Sequence, residues 1–281
     1  MSARMPFMAD DALSPMCCPE PQARLTLWPG RARYSGPSLE LDMHSGSVSC
    51  LAVGDEVAFT IETAADGVRR TARSALIRPR VAHRIDAHDG RMTFCYFEPG
   101  SATERACREA LDAGEEPVTV SVAAEQDLVR RLCATPERAE RPDIDPRIRA
   151  AVRRLLREPQ LPDGALEYAA AAGLSRSRFL HLFRAETGTS FRRYRMWARM
   201  LRAGRALPDF GTLTAAAAEA GFASPSHLSS TFHATFGIRP SRLLGAGCVI
   251  VDEARVGEGG WLGPRVPVGS ARGYRPPQAR G

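Results

Sequence analysis

Two runs of this chain carry polar side chains at a spacing that could meet nucleic-acid bases. The first offers Ser177, Leu180, His181 and Arg184 at i, i+3, i+4 and i+7, and the second offers Ser226, Ser229, Ser230 and His233 at the same spacing. That spacing places each set on one face of an α-helix. Hydroxyl, imidazole and guanidinium groups on such a face can exchange hydrogen bonds with base edges in a major groove. Arg176 and His227 stand near the starts of the two runs, and Arg192 and Arg193 follow the first, where a guanidinium could neutralise a phosphate.

The elements that must hold these groups repeat. Ala165, Tyr168, Ala169 and Ala172 form one apolar helix face, and Leu213, Ala216, Ala217 and Ala220 form another. Gly173 and then Gly221-Phe222 follow as turns, with Ser175 and Ser224 as caps for a second helix in each copy. Pro225 suits the first position of its helix. Phe179, Leu182 and Phe183 in one copy, and Leu228 and Phe232 in the other, form the inward faces. Helix, short glycine turn and second helix make a helix-turn-helix unit. Between the copies, residues 190–207 read as one connecting helix, with Phe191, Tyr194, Ala198 and Leu201 on its apolar stripe and Pro208 as its end. A rigid rod there would set the two reading helices about one turn of DNA apart, ~34 Å. The rod carries Arg192, Arg193, Arg195, Arg199, Arg202 and Arg205, of which two or three are expected on phosphates.

This stretch resembles the DNA-binding domain of the AraC/XylS family of transcriptional regulators over residues 147–244. The second copy carries that family's signature through Gly221, Phe222, Ser224, Ser226, Leu228, Phe232, Gly237 and Pro240. The resemblance implies a sequence-specific regulator that binds double-stranded DNA with both helices in successive major grooves. RNA polymerase is an implied partner, and a small-molecule effector and a homodimer are further ones. Leu180, Ser229 and Ser230 stand where the family often has long polar side chains, which shifts readout toward phosphate contacts and DNA shape.

Charge divides the chain in the same way. Residues 1–145 carry 17 arginines against 23 acidic residues, whereas residues 146–245 carry 16 against 6, a net +10. The basic part is the candidate for a polyanion, and it is expected to fold and bind DNA alone. All 38 basic residues are arginine, which we read as compositional bias. The seven cysteines include no C-x-x-C spacing, so zinc and a disulfide framework are not expected. Cys17 and Cys18 could oxidise, but packing in a reducing compartment explains the set. No apolar run of membrane-spanning length and no secretion signal are read, so a cytoplasmic protein with no membrane partner is expected.

The N-terminal half reads as short strands at 25–28, 39–43, 47–53, 56–61, 67–73, 75–77 and 91–97, punctuated by turns such as Pro29-Gly30 and Asp89-Gly90. Helices are expected near 102–111 and 124–132. Residues 75–99 are similar to the cupin-like effector domain of the same family. The expected fold is therefore multidomain α+β. Its parts are a disordered arm (1–21), a cupin-like β-barrel for sensing or dimerisation (22–133) and a linker (134–145). An all-α domain with two helix-turn-helix units joined by a long helix (146–245) and a mostly disordered tail (246–281), briefly extended at Cys248–Val251, complete it. An enzymatic cupin needs a metal cluster, and His44 and His83 lack partners at that spacing. No catalytic residue, metal or cofactor is expected. Two alternatives are a cupin-type enzyme tethered to DNA, and a barrel used for dimerisation only.

Overall fold

Alternating apolar residues build two sheets in the N-terminal half. The computed structural model describes residues 23–114, 116–123, 125–134 and 144–253. The expected arm, Cys17, Cys18, most of the expected linker and residues 254–281 lie outside these. The strands are β1 (Arg24–Trp28), β2 (Arg31–Pro37), β3 (Ser49–Gly54), β4 (Phe59–Thr63), β5 (Arg69–Ala72), β6 (Ser74–Ile77), β7 (His83–Asp86), β8 (Arg91–Phe97), β9 (Val118–Ser121) and β10 (Val249–Asp252). Seven of them form one sheet in the order β10-β1-β2-β8-β3-β6-β9, and β5-β4-β7 form a second.

β3 is buried along its whole length because both faces are covered. Cys50 and Ala52 meet the core under the small sheet, with Phe59, Ile61 and Ile85. Leu51 and Val53 face the other way, onto Cys107, Leu128 and Val129 of α1 (Ala102–Ala110) and α2 (Gln126–Ala134).

Three expectations need correction. The expected closed barrel is an open pair of sheets among the described residues: the outer edge of β1 is taken by β10 in parallel register, Leu25 opposite Ile250, and not by the small sheet. The expected tail is ordered over residues 246–253, beyond the brief extended stretch expected at Cys248–Val251, with Cys248 and Ile250 buried. Residues 39–43 form no strand, although β2, β7 and β9 appear where none was expected.

The remaining helices are α3 (Pro146–Arg157), α4 (Ala165–Ala171), α5 (Arg176–Thr187), α6 (Phe191–Phe210), α7 (Leu213–Glu219), α8 (Pro225–Phe236) and α9 (Pro240–Gly245). α6 has 20 residues, a rod of about 30 Å. Pro208 does not end it. The bond that proline forgoes falls in the last turn, and the helix closes at Gly211, whose N–H donates to the Leu207 carbonyl at 2.9 Å.

Three clusters support the helical half. α3, α4, α5 and the start of α6 enclose their own cluster of Ile148, Leu155, Tyr168, Phe179, Phe183 and Tyr194. α6, α7 and α8 enclose a second, of Met200, Ala203, Ala217, Ala220, Phe222 and Leu228. The third joins these helices to the β domain: Trp197, Leu201 and Leu207 of α6 pack with Leu27, Ala32 and Ile250, while Ile238 and Leu243 join Tyr34 and Phe94. Each such buried side chain contributes about 1.5–3 kcal/mol. The seam between the two halves is thus an apolar core.

Candidate nucleic-acid interface

The two helix pairs are built by the same local rules. In the first, α4 ends with Gly173 at φ 64°, the Leu174 N–H donates to the Ala169 carbonyl (2.9 Å), and the Gly173 N–H to Ala170 (3.0 Å). In the second, Gly221 has φ 75°, the Phe222 N–H donates to Ala217 (2.8 Å), and the Gly221 N–H to Ala218 (3.0 Å). This six-to-one, five-to-two pattern closes a helix with a left-handed glycine. The Ser175 hydroxyl then accepts from the Arg178 N–H at 3.3 Å, and the Ser224 hydroxyl from the His227 N–H at 3.0 Å, starting α5 and α8. Alanines at 169, 216 and 217 are buried and let each pair approach closely.

α5 turns Phe179 and Phe183 inward and exposes Arg176, Ser177, His181 and Arg184. Arg178 is exposed as well and was not among the expected contacts. Leu180 does not stand on the open face: it is half-buried and packs against the Phe179–Phe183 cluster, as its apolar side chain favours. On α8, Ser226, His227 and Ser230 are exposed and Ser229 is half-buried. His227 sets its ring edge-on to Phe222, 5.4 Å between centroids, and the Ser230 hydroxyl donates back to the His227 carbonyl at 3.2 Å. His233 is turned to the β domain, where its Nε2 donates to the Asp42 carboxylate at 2.8 Å. That bond takes it off the expected reading face.

Most connector arginines serve the fold. Arg195 donates to the Asp163 carbonyl at 2.7 Å and to that of Leu161, and Arg199 to Pro159 at 3.0 Å. Arg202 reaches the carbonyls of Glu219 (2.9 Å) and Arg157 (3.1 Å) and pairs with the Glu219 carboxylate. Arg205 lies 3.4 Å from the buried Asp252 at the end of β10. Guanidiniums at the end of α3 and in the loop beyond it answer carbonyls that a helix terminus leaves open. Arg192 is exposed and Arg193 half-buried. Burial first, then the nearby charges of Arg80 and Arg192, lower the Arg193 pKa. Three like charges there form a basic cluster that an anion would relieve.

A second feature joins the halves. Residues 38–46 run as a strap across the end of α8. The Asp42 N–H donates to the Gly237 carbonyl (2.9 Å) and the Ser45 N–H to Ala234 (3.2 Å), while Arg242 pairs with Glu40 at 2.6 Å. His44 of the strap and His83 beneath it exchange backbone hydrogen bonds, and their rings, both buried, lie tilted at 53° with centroids 4.3 Å apart. Each Nδ1 donates to a carbonyl, of Asp42 and Val81. Burial, then the neighbouring His83, pushes the His44 pKa down to about 4. The pair was not legible as one feature in the sequence. Among the described residues, no group of three or more histidine, cysteine or acidic side chains could hold a metal. Beside the strap, the seam holds a partly open cavity of about 90 Å³ lined from both halves, by Tyr34, Leu41 and Tyr96 on one side and by Trp197, Phe232 and Phe236 on the other.

Residues 168–246, from within α4 through α9, match the family model described as a helix-turn-helix domain. This is an AraC-type helix-turn-helix domain. The AraC-type domain and the β domain together superpose on ToxT from Vibrio cholerae with a TM-score of 0.50, at 11% identity, over 77% of this chain and 98% of that one. A second ToxT structure, bound to (E)-4-(8-methylnaphthalen-1-yl)but-3-enoic acid, gives a TM-score of 0.50 at 11% identity over 77% and 99%. The shared property is the fold: a β-rich N-terminal domain followed by a helical domain. A transcriptional regulator from Chromobacterium violaceum, of the AraC-type DNA-binding domain-containing proteins, is 28% identical over 34% of this chain and 88% of that chain, with a TM-score of 0.33. No curated protein matches the chain in sequence. Among the described residues, no helix is long and apolar enough to cross a membrane.

Proposed function

We propose that this protein is a sequence-specific, DNA-binding transcriptional regulator in which α5 and α8 enter successive major grooves and the β domain senses a small molecule. The AraC-type domain supports a DNA-binding transcription regulator, and the finer reading is ours. One observation carries it: the same capped, glycine-turned helix pair occurs twice, on the part of the chain with net +10. Arg176, Ser177, His181 and Arg184 are the proposed reading residues of α5, and Ser226, His227, Ser229 and Ser230 those of α8. Arg192 and Arg193, with Arg80 beside them, are proposed to hold phosphate. Leu180 and His233 are left out of that set on their packing and pairing.

The effector site in this reading is the cavity in the seam, which is walled by the sheet and by α6, α8 and α9. A ligand there touches the second reading helix directly, so sensing needs no long relay. The ToxT structure with a bound naphthyl-butenoic acid has the same overall fold, which supports a ligand-responsive role for this chain. RNA polymerase and a second copy of the chain remain proposed partners on family grounds. Genome-wide footprinting of the protein on its own chromosome tests the reading. It should show discrete sites upstream of transcription starts, whereas uniform or absent occupancy would overturn it.

A further inference from the structure

The seam cavity has an unusual chemistry for a site that joins two charged domains. No charged side chain lines it among the described residues. Its polar groups are already engaged. The Tyr34 hydroxyl donates to the Pro37 carbonyl at 2.7 Å, the Trp197 indole N–H to the Gly30 carbonyl at 3.3 Å, and the Tyr96 hydroxyl hydrogen-bonds the Cys50 thiol. Burial holds both tyrosines in their neutral form. An ionised group placed here would lose its water and find no counter-charge.

Size adds a second constraint. The volume of about 90 Å³ is below the ~150 Å³ of an apolar cavity that takes benzene. A larger occupant needs more room than the walls now leave. The wall that can yield is the strap, because its residues alternate in role. Leu39 and Leu41 line the cavity, while Glu40 and Asp42 hold Arg242 of α9 and His233 of α8. These ion pairs are exposed, and such pairs are weak.

We propose that the seam cavity binds an uncharged aromatic or aliphatic molecule larger than benzene, and that such a molecule acts by pushing the strap off α8. The inference rests on the effector-site reading above and names the ligand class and the part that moves. Because coupling is reciprocal, whatever loosens the strap must also strengthen ligand binding.

The test uses full-length protein with naphthalene and its carboxylate counterpart, 2-naphthoate, in equilibrium dialysis at neutral pH. Naphthalene should saturate one site per chain, with 2-naphthoate at least about tenfold weaker. The double variant Glu40→Gln/Asp42→Asn should bind naphthalene about three- to tenfold more tightly, as expected from removing two exposed ion pairs. Ala203→Leu, which adds bulk at the cavity wall, should abolish binding. No saturable naphthalene binding, equal binding of the two probes, or an unchanged affinity in the strap variant would each overturn the proposal. The wild-type comparison of the two probes decides even if Ala203→Leu misfolds. DNA binding is measured on the same preparation: intact DNA binding without naphthalene binding overturns this inference alone, and the reverse overturns the regulator reading alone.

Discussion

Gly237 closes α8 against the strap, and replacing it with alanine separates two costs that a helix-ending glycine usually combines. Its φ is 72°, and a Cβ there would lie 2.5 Å from the Asp42 carbonyl oxygen and 2.7 Å from His44 Nδ1. Gly211 closes α6 with φ 68°, and a Cβ there would meet nothing within 4 Å. Gly211→Ala therefore meets only the left-handed backbone cost, about 1–2 kcal/mol. Gly237→Ala meets the same cost and must also displace the strap backbone. That displacement breaks the bonds from Asp42 to Gly237 and from Ser45 to Ala234, each worth about 1 kcal/mol net. The expected losses are about 1–2 kcal/mol at Gly211 and about 3–4 kcal/mol at Gly237. Urea denaturation followed by circular dichroism reads them as midpoint shifts at a shared slope. Equal shifts for the two variants would show that the strap does not bear on α8, and would refute the reasoning.

The remaining predictions concern the reading residues, the staples, pH and the C-terminal strand. His181→Ala should lose discrimination between specific and scrambled duplex by about 1–3 kcal/mol, while Arg192→Ala should weaken both and flatten the salt dependence by about 0.9; the opposite pattern in a salt titration would reverse their roles. Arg202→Ala should destabilise the fold by about 1–3 kcal/mol, since it strands carbonyls on α3 and α7, and should leave the salt slope of DNA binding unchanged; a flattened slope with unchanged stability would put Arg202 on phosphate. Buried His44 stays neutral down to about pH 4 in the folded protein but protonates near 6.5 when unfolded, so its contribution is full above pH 6.5 and is lost as the pH falls toward 4, by about 1.4 kcal/mol per pH unit within that window. His83, also lowered by burial, acts in the same direction, and His44→Gln should flatten the dependence in urea midpoints measured across that range. Deleting residues 248–281 removes β10, uncovers the β1 edge and takes Ile250 from the seam, so thermal unfolding should begin at lower temperature; an unchanged melt would mean that the strand is dispensable.

The helix pairs were legible in the sequence because everything that forms them is local: a period of three to four, a glycine, a serine cap and a proline within one turn. The sheets were less so. β2 carries Arg31, Arg33, Gly36 and Pro37, which interrupt any apolar alternation, yet it pairs with β1 and β8 and buries Ala32, Tyr34 and Gly36. β10 lies in a glycine-rich stretch and becomes a strand because β1, at the other end of the chain, offers it an edge. Residues 39–43 show genuine alternation, but their two faces meet a cavity and two helices in place of a strand partner. The same long range hid the partners of His233 and Arg242, and hid the four connector arginines that staple α6 to its neighbours. Positive charge in a helix marked the basic domain correctly but could not tell phosphate ligands from carbonyl ligands.

Selection of bound duplexes from a random DNA pool by the purified full-length protein reads out directly whether α5 and α8 recognise a paired site. The enriched site should contain two half-sites whose centres lie about one helical turn, ~10 base pairs, apart, with binding that weakens steeply as salt rises. Loss of one half-site under His181→Ala should leave the other in place. A pool that stays random after repeated rounds, or binding that ignores salt, would contradict paired-site recognition.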